Sequence, residues 1–299
     1  MVAVHSPALS APIAAERGGK STLGRAWATG KREPRLLVFG GIVVVMILIG
    51  LSAPLLAPYD PFQTAPAQTL QQPSWAHPLG TDNLGRDQLS RVIYGTRISL
   101  AVAVIAVSIS LGGGVAMGLA AGYVGGWLDQ VLSRFVDAML AFPGVLLAIA
   151  VTSALGPSLG NAMLAIGIIG VPLYFRLSRG QVLQAREQEY VTAAAVLGAS
   201  RARILVRHIL PNIANPMIVA ASISSSTAIL ALAALSFLGI GAQPPEPDWG
   251  SMINAATNLL ERSPWLSFGP GLAIFLTVFS FSMLGDGLRD ALDPRLRNR

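Results

Sequence analysis

The chain has 299 residues, of which 53% are hydrophobic and only 12% charged, with a formal net charge of +6. Soluble domains carry about 25% charged residues, so the composition excludes an ordinary soluble fold and predicts an all-α polytopic membrane protein. Cysteine is absent, which excludes disulfides, thiol nucleophiles and Cys-ligated metal sites. The basic residues flank apolar runs, as orientation in a membrane requires, rather than forming a nucleic-acid face.

Residues 1–35 are rich in Ala, Gly, Ser and Arg and read as a largely disordered cytoplasmic tail. Within it, Gly18-Gly19-Lys20-Ser21-Thr22 looks like the end of a phosphate-binding loop. Ala14 stands where its first glycine is required, and no strand precedes it. A six-span membrane domain is predicted over 36–294. A crossing needs about 20 apolar residues, and charge-free or nearly charge-free runs place spans at 36–59, 98–128, 212–241 and 263–285. The run 138–175 is too long for one crossing. The turn signals Gly156-Pro157 and Gly160-Asn161 divide it into spans three and four. Pro143 and Pro172 predict kinks in those two spans.

Six spans bring three arginine-rich segments to one side. These are the tail (Arg17, Lys20, Arg25, Lys31, Arg32, Arg35), the loop after span four (Arg176, Arg179, Arg186, Arg201, Arg203, Arg207) and the end of the chain (Arg289, Arg295, Arg297, Arg299). That side is the cytoplasmic one by the positive-inside rule, so both termini are expected there, with 295–299 as a short second tail.

The loop 59–97 then lies outside. Its second half reads HPLGTDNLGRDQLSRVIYGTRISL, in which Asp82, Arg86, Asp87 and Arg91 alternate in sign. One reading is a folded cap with local ion pairs; the other is a docking surface for an external protein. Span two carries Gly114, Gly118, Gly122 and Gly126 at intervals of four, a face for close helix contact. In span three, Arg134 and Asp137 are spaced as an i,i+3 ion pair.

The loop 180–211 is the most informative. Tyr190, Ala193, Ala194 and Leu197 recur at helical spacing. Gly198 can end or bend that helix. Arg201, Arg203 and Arg207 suit lipid phosphates or partner carboxylates. Leu210-Pro211 marks the start of the next span. Such a segment either lies on lipid as an amphipathic helix or docks a partner protein. Beyond it, weakly polar groups are candidates for a translocation path, because strong charges are costly inside the membrane. Asn215, Ser222, Ser225, Ser226 and Ser280 are the candidates, although serines also satisfy carbonyls of their own helix.

The order Ala193-Ala194, Gly198, Leu210-Pro211 resembles the conserved cytoplasmic loop of binding-protein-dependent ABC importer permeases: Glu-Ala-Ala, three residues, Gly, nine residues, Ile, any residue, Leu-Pro. Thr192 replaces the Glu and His208 stands in place of the Ile. The 77–100 segment, and ALAALSFLGIGAQPPEPDWGSMI at 231–253, resemble the second (C-type) permease of dipeptide and oligopeptide importers. The resemblance covers about 36–294. It implies a type I ABC importer permease (MetI-like) fold in the bacterial inner membrane, with a coupling helix made of Tyr190, Thr192, Ala193, Ala194, Leu197, Gly198, Arg201, Leu210 and Pro211. It also implies a B-type partner permease and two ATPases, or one fused ATPase, that hold ATP and Mg. An external solute-binding protein would deliver a peptide, with glutathione or a nickel chelate as alternative cargo.

No cofactor, metal or catalytic set is expected on this chain. There is no HExxH, no histidine within a span and no serine with a partner base in sequence. A self-sufficient secondary transporter would need mid-membrane acids or an inverted repeat, and neither is visible.

Overall fold

A computed structural model describes residues 34–292, and the described residues form helices without a strand. The tail with its phosphate-loop lookalike, and Arg295, Arg297 and Arg299, lie outside these residues. The principal helices are α1 (Pro34–Leu51), α2 (Gln88–Val124), α3 (Gly126–Leu140), α4 (Gly144–Leu155), α5 (Leu159–Ala185), α6 (Glu189–Val196), α7 (Arg201–Phe237), α8 (Trp249–Ala256) and α9 (Trp265–Leu292). Among the described residues, α1, α2, α5, α7 and α9 are each long and apolar enough to cross a membrane. The count reaches six when α3 and α4, bent by 92° at their junction, are taken as one span.

That junction corrects the expectation of a third span that starts at Ala138 and is only kinked at Pro143. Pro143 caps the start of α4. A proline supplies no N–H to the preceding turn and disfavours helix at the residue before it, so the chain breaks instead of kinking. Pro172, in contrast, lies inside a continuous α5.

The tightest seam joins α2 to α5, and it is built from glycine. A methyl group at Gly114 would lie 2.5 Å from Tyr174 Cβ, one at Gly118 2.7 Å from Phe175 O, and one at Gly122 2.9 Å from Val182 Cβ. Three of the four expected glycines therefore let the two backbones touch. Gly126 does not belong to the seam: with Gly125 it takes positive φ and starts α3. Hydroxyls close the seam where the helices meet. Ser110 Oγ donates to Gly167 O at 2.7 Å, and Ser178 Oγ, which also bonds Tyr174 O of its own helix, reaches Gly114 O of α2 at 3.4 Å.

α1 carries no charge after Arg35 and leaves most of its surface exposed, as a lipid-facing helix does. It packs through Gly50 on Leu100 and through Phe39, edge-on to Phe279 with ring centroids 5.3 Å apart.

α2 starts ten residues before the expected boundary at Ile98. Its first turns pack against protein, which tolerates the buried Arg91 there, while Arg97 is exposed. Arg91 Nη1 reaches Pro61 O at 2.9 Å, Gln88 Nε2 reaches Leu266 O at 2.7 Å, and Trp249 Nε1 donates to Val92 O at 3.0 Å. The two distant segments that resemble importer permeases thus pack on one another, with Trp249 fully buried over Gly95.

Candidate functional site

Three features have the makings of function: an exposed elbow between α5 and α7, a trough along α5 and α7, and the cap before α2.

The elbow is α6, Gly198 and the first turns of α7. Its inner face is apolar: Val191 and Ala194 pack on Val182, Ile204, Ile209 and Ile213. Its outer face carries Val196 and Leu197, which are 82% and 87% exposed, with Tyr190, Thr192 and Ala193 also outward. An apolar knob this open is unusual on a monomer surface unless something covers it.

Gly198 ends the helix. Its φ of +81° is the left-handed conformation that glycine adopts without strain. Gly198 N donates to Ala195 O and Ala199 N to Ala194 O, each at 3.0 Å, a double bond pattern that satisfies the last carbonyls of α6. Ser200 then caps the start of α7 through Arg203 N. Gly198, expected to end or bend the helix, ends it, so the segment is a helix–glycine–helix elbow.

Pro211 is not the first residue of the next span either. α7 begins ten residues earlier and holds a π turn, Ile204–Ile209, just before the proline. The wider turn absorbs the missing N–H. Asn212 Nδ2 donates to His208 O at 2.6 Å and reaches Tyr190 Oη at 3.4 Å, which ties the turn back to α6. Leu210 packs on the inner face of the elbow. Arg201, Arg203 and Arg207 are exposed and form no ion pair with the described residues.

The trough has two chambers, of about 330 and 490 Å³, that share Leu173 of α5. The first is bordered by α2, α4, α5 and α7, with Ser110, Ser224 and Thr227 as its polar points. The second holds Asn215 and Arg289. Of the five residues expected along a path, only Asn215 borders the trough. Ser222 donates to Phe281 O, Ser225 to Ala221 O and Ser226 to Ile223 O, so these hydroxyls are used within and between helices. Ser280 is buried in α9. Ser224 and Thr227, which share a helix face at a slightly different angle from Ser222, Ser225 and Ser226, are the ones that border the first chamber.

In the cap, the four alternating charges are spent locally. Asp82 accepts from Leu84 N at 2.8 Å, Arg86 N at 2.9 Å and Arg86 Nε at 2.6 Å. Asp87 caps α2 by accepting from Ser90 N at 2.7 Å, while its other oxygen meets His77 Nδ1 at 2.8 Å. Asp82, Asp87 and Arg91 are buried and Arg86 is half-buried. This geometry favours the folded-cap reading over docking by these side chains. His77, Asp87 and Ser90 meet in an order in which the carboxylate, not the imidazole, receives the serine O–H, so no base activates that serine. Below the cap, Asp248 caps α8 through Ser251 N at 3.0 Å. Burial pushes its carboxyl above the usual range, against the hydrogen bonds it receives.

The expected Arg134–Asp137 pair is not formed. Asp137 reaches across to Arg176 Nη2 at 2.8 Å instead.

A bundle of long apolar helices interrupted by one exposed, glycine-hinged elbow has the architecture of a multi-span membrane protein. Residues 114–298 match the family described as the binding-protein-dependent transport system inner membrane component, and residues 21–73 match the N-terminal transmembrane domain of oligopeptide transport permease C. The chain belongs to the binding-protein-dependent permease family of ABC importers. It is 47% identical to a dipeptide transport system permease of Alkalihalophilus pseudofirmus, over 89% of this chain and 88% of that one. It is 41% identical to a glutathione transport system permease of Pectobacterium atrosepticum, over 96% of each. A chain of the MetNI methionine ABC transporter, solved in inward-facing conformations, shares the fold with a TM-score of 0.55 at 17% identity, covering 68% of this chain and 97% of its own length.

Proposed function

We propose that the chain is one of two different permeases that together form the pore of an ATP-driven importer for di- and oligopeptides. The observation that carries the coupling part is the elbow: Val191 and Ala194 anchor α6 while Val196 and Leu197 stand out on the arginine-rich end of the bundle. In this reading the elbow and both termini face the cytoplasm of a bacterial cell. Tyr190, Thr192, Ala193, Leu197 and Arg201 meet an ATPase, and Ala194, Leu210 and Pro211 hold the elbow in shape. ATP and Mg reside on two ATPase subunits or one fused ATPase, and no covalent chemistry takes place on this chain. Closure of the ATPases pushes the elbow, and the attached spans rock between inward-open and outward-open states around the trough. A B-type permease supplies the other wall, and a solute-binding protein outside delivers the cargo.

Dipeptide permeases among the relatives, at 43–47% identity, favour peptide as that cargo. A trough whose polar points are hydroxyls, with one amide and one arginine, suits main-chain groups of varied peptides better than one fixed side chain. Glutathione, itself a tripeptide, is the second reading, favoured by relatives at 41–43% identity.

The test is co-purification of the chain from its native membrane, followed by ATPase assays with binding protein loaded with dipeptide or with glutathione. A second permease and ATPases in the preparation, with hydrolysis stimulated by the dipeptide-loaded form, support the reading. Stimulation by the glutathione-loaded form alone selects the second cargo. A chain that purifies alone, from membranes that retain such complexes, refutes both.

A further inference from the structure

The cargo-independent part of the bundle contains an ion-pair clamp that neither the elbow nor the trough explains. Asp129, in the first turn of α3, accepts Arg179 Nε and Nη2 on its two carboxylate oxygens, the second at 2.7 Å, and Ser133 Oγ at 3.2 Å. Two turns on, Asp137 accepts Arg176 Nη2 at 2.8 Å. Between the two pairs, Val136 is fully buried in a cluster with Phe175.

The spacing of the pairs fixes the crossing. Eight residues along α3, about 12 Å, correspond to three along α5, about 4.5 Å, so α3 crosses α5 steeply and touches it over a short stretch. A helix held that way pivots unless its ends are tied. The ties lie where movement enters and leaves. On one side, the end of α2 that leads into α3 is held to the end of α5, Arg186 Nη1 donating to Gly122 O at 3.1 Å, and α6 begins three residues later. On the other, α3 runs through the 92° bend at Pro143 into α4, whose Gly144, Val145 and Ala148 border the trough. Both pairs are partly open to solvent, the Arg176–Asp137 side chains 60% and 51% exposed. Ion pairs this open add little to stability, which leaves geometry as their use.

We propose that Asp129–Arg179 and Asp137–Arg176 are positioning pairs that make α3 travel with the arginine-rich end of α5, so that displacement of the elbow reaches the α4 wall of the trough. The proposal rests on the importer reading for its consequence and on the clamp for its geometry, and two readouts separate them.

The first is transport per ATP hydrolysed, per assembled complex, in proteoliposomes. Asp129→Asn and Arg176→Gln each lower it by about fivefold or more, the lower end of usual site-to-site coupling, while ATPase stimulation by loaded binding protein stays within about twofold of wild type. The swap Asp129→Arg with Arg179→Asp restores it. Unchanged transport per ATP in both single variants overturns the proposal, as does a proportional fall of transport and hydrolysis.

The second readout needs no cargo. The chain has no cysteine, so spin labels at Val131→Cys on α3 and Gln184→Cys on α5 report their separation in the full complex. One narrow distance is expected with and without ATP, broadening in Asp129→Asn. A distribution unchanged by Asp129→Asn overturns the clamp, even where the importer reading stands. A wild-type complex that moves no peptide, yet broadens in the variant, refutes the importer reading and leaves the clamp.

Discussion

The cap and the elbow are both polar interruptions between apolar spans, and they solve opposite problems. The cap turns its charges inward: Asp82, Asp87 and Arg91 are buried and each has a partner. The elbow does the reverse, burying the apolar Val191 and Ala194 and holding Leu197 and three arginines outward. A charge alternation such as Asp82-Arg86-Asp87-Arg91 is therefore the mark of a closed local network. An exposed apolar residue beside a helix-ending glycine is, in the function we propose, the mark of a partner contact. The contrast predicts that damage to the cap end acts on stability, and damage to the outer elbow acts on coupling.

The sharpest break of that contrast is Trp249→Ala. Removal of a fully buried indole over Gly95 is expected to cost about 3–5 kcal/mol, read as a lower Tm of the purified complex in detergent. A smaller loss of about 1–3 kcal/mol is expected for Gly118→Val, because its β-carbon meets the backbone of α5. At Gly198, alanine must adopt a φ of +81°, at about 1–2 kcal/mol; thermal unfolding should show that loss together with reduced transport.

Asp248→Asn keeps the cap on α8, since Asn caps as well as Asp, but removes a titration. The carboxyl is pushed up by burial, so the fold is favoured with Asp248 protonated. That contribution is full below the usual carboxyl value of about 4 and is lost as pH rises above it. Tm measured from about pH 4 to pH 8 should fall more steeply for wild type than for Asp248→Asn; parallel curves would contradict the burial argument. Smallest in stability is Leu197→Ser, expected within about 0.5 kcal/mol of wild type, yet with ATPase stimulation lost. A variant that kept full stimulation would place the partner contact elsewhere.

The helix-rich class and the elbow were legible because both are written in local sequence: charge-free runs for the spans, and Ala193-Ala194 followed by Gly198 for the elbow. What escaped is non-local. α2 continues back to Gln88 because protein surrounds Gln88 and Arg91 at its start, and no local period records that. The break at Pro143 reads as a kink until α5 is seen beside it. Asp137 prefers Arg176 over the nearby Arg134 because α3 crosses α5 at a steep angle. Ser224 and Thr227 border the trough while Ser222, Ser225 and Ser226 do not, a choice made by rotation of α7 against its neighbours. Small polar residues are nearly continuous along that helix, so sequence alone could not rank its faces.

Uptake is the most direct test of the central claim. Proteoliposomes carrying the whole complex, with ATP on the elbow side and dipeptide-loaded binding protein on the cap side, should accumulate labelled dipeptide. The Leu197→Asp complex, assembled to the same extent, should not. Accumulation without ATP, or at an undiminished rate in Leu197→Asp, would contradict the account.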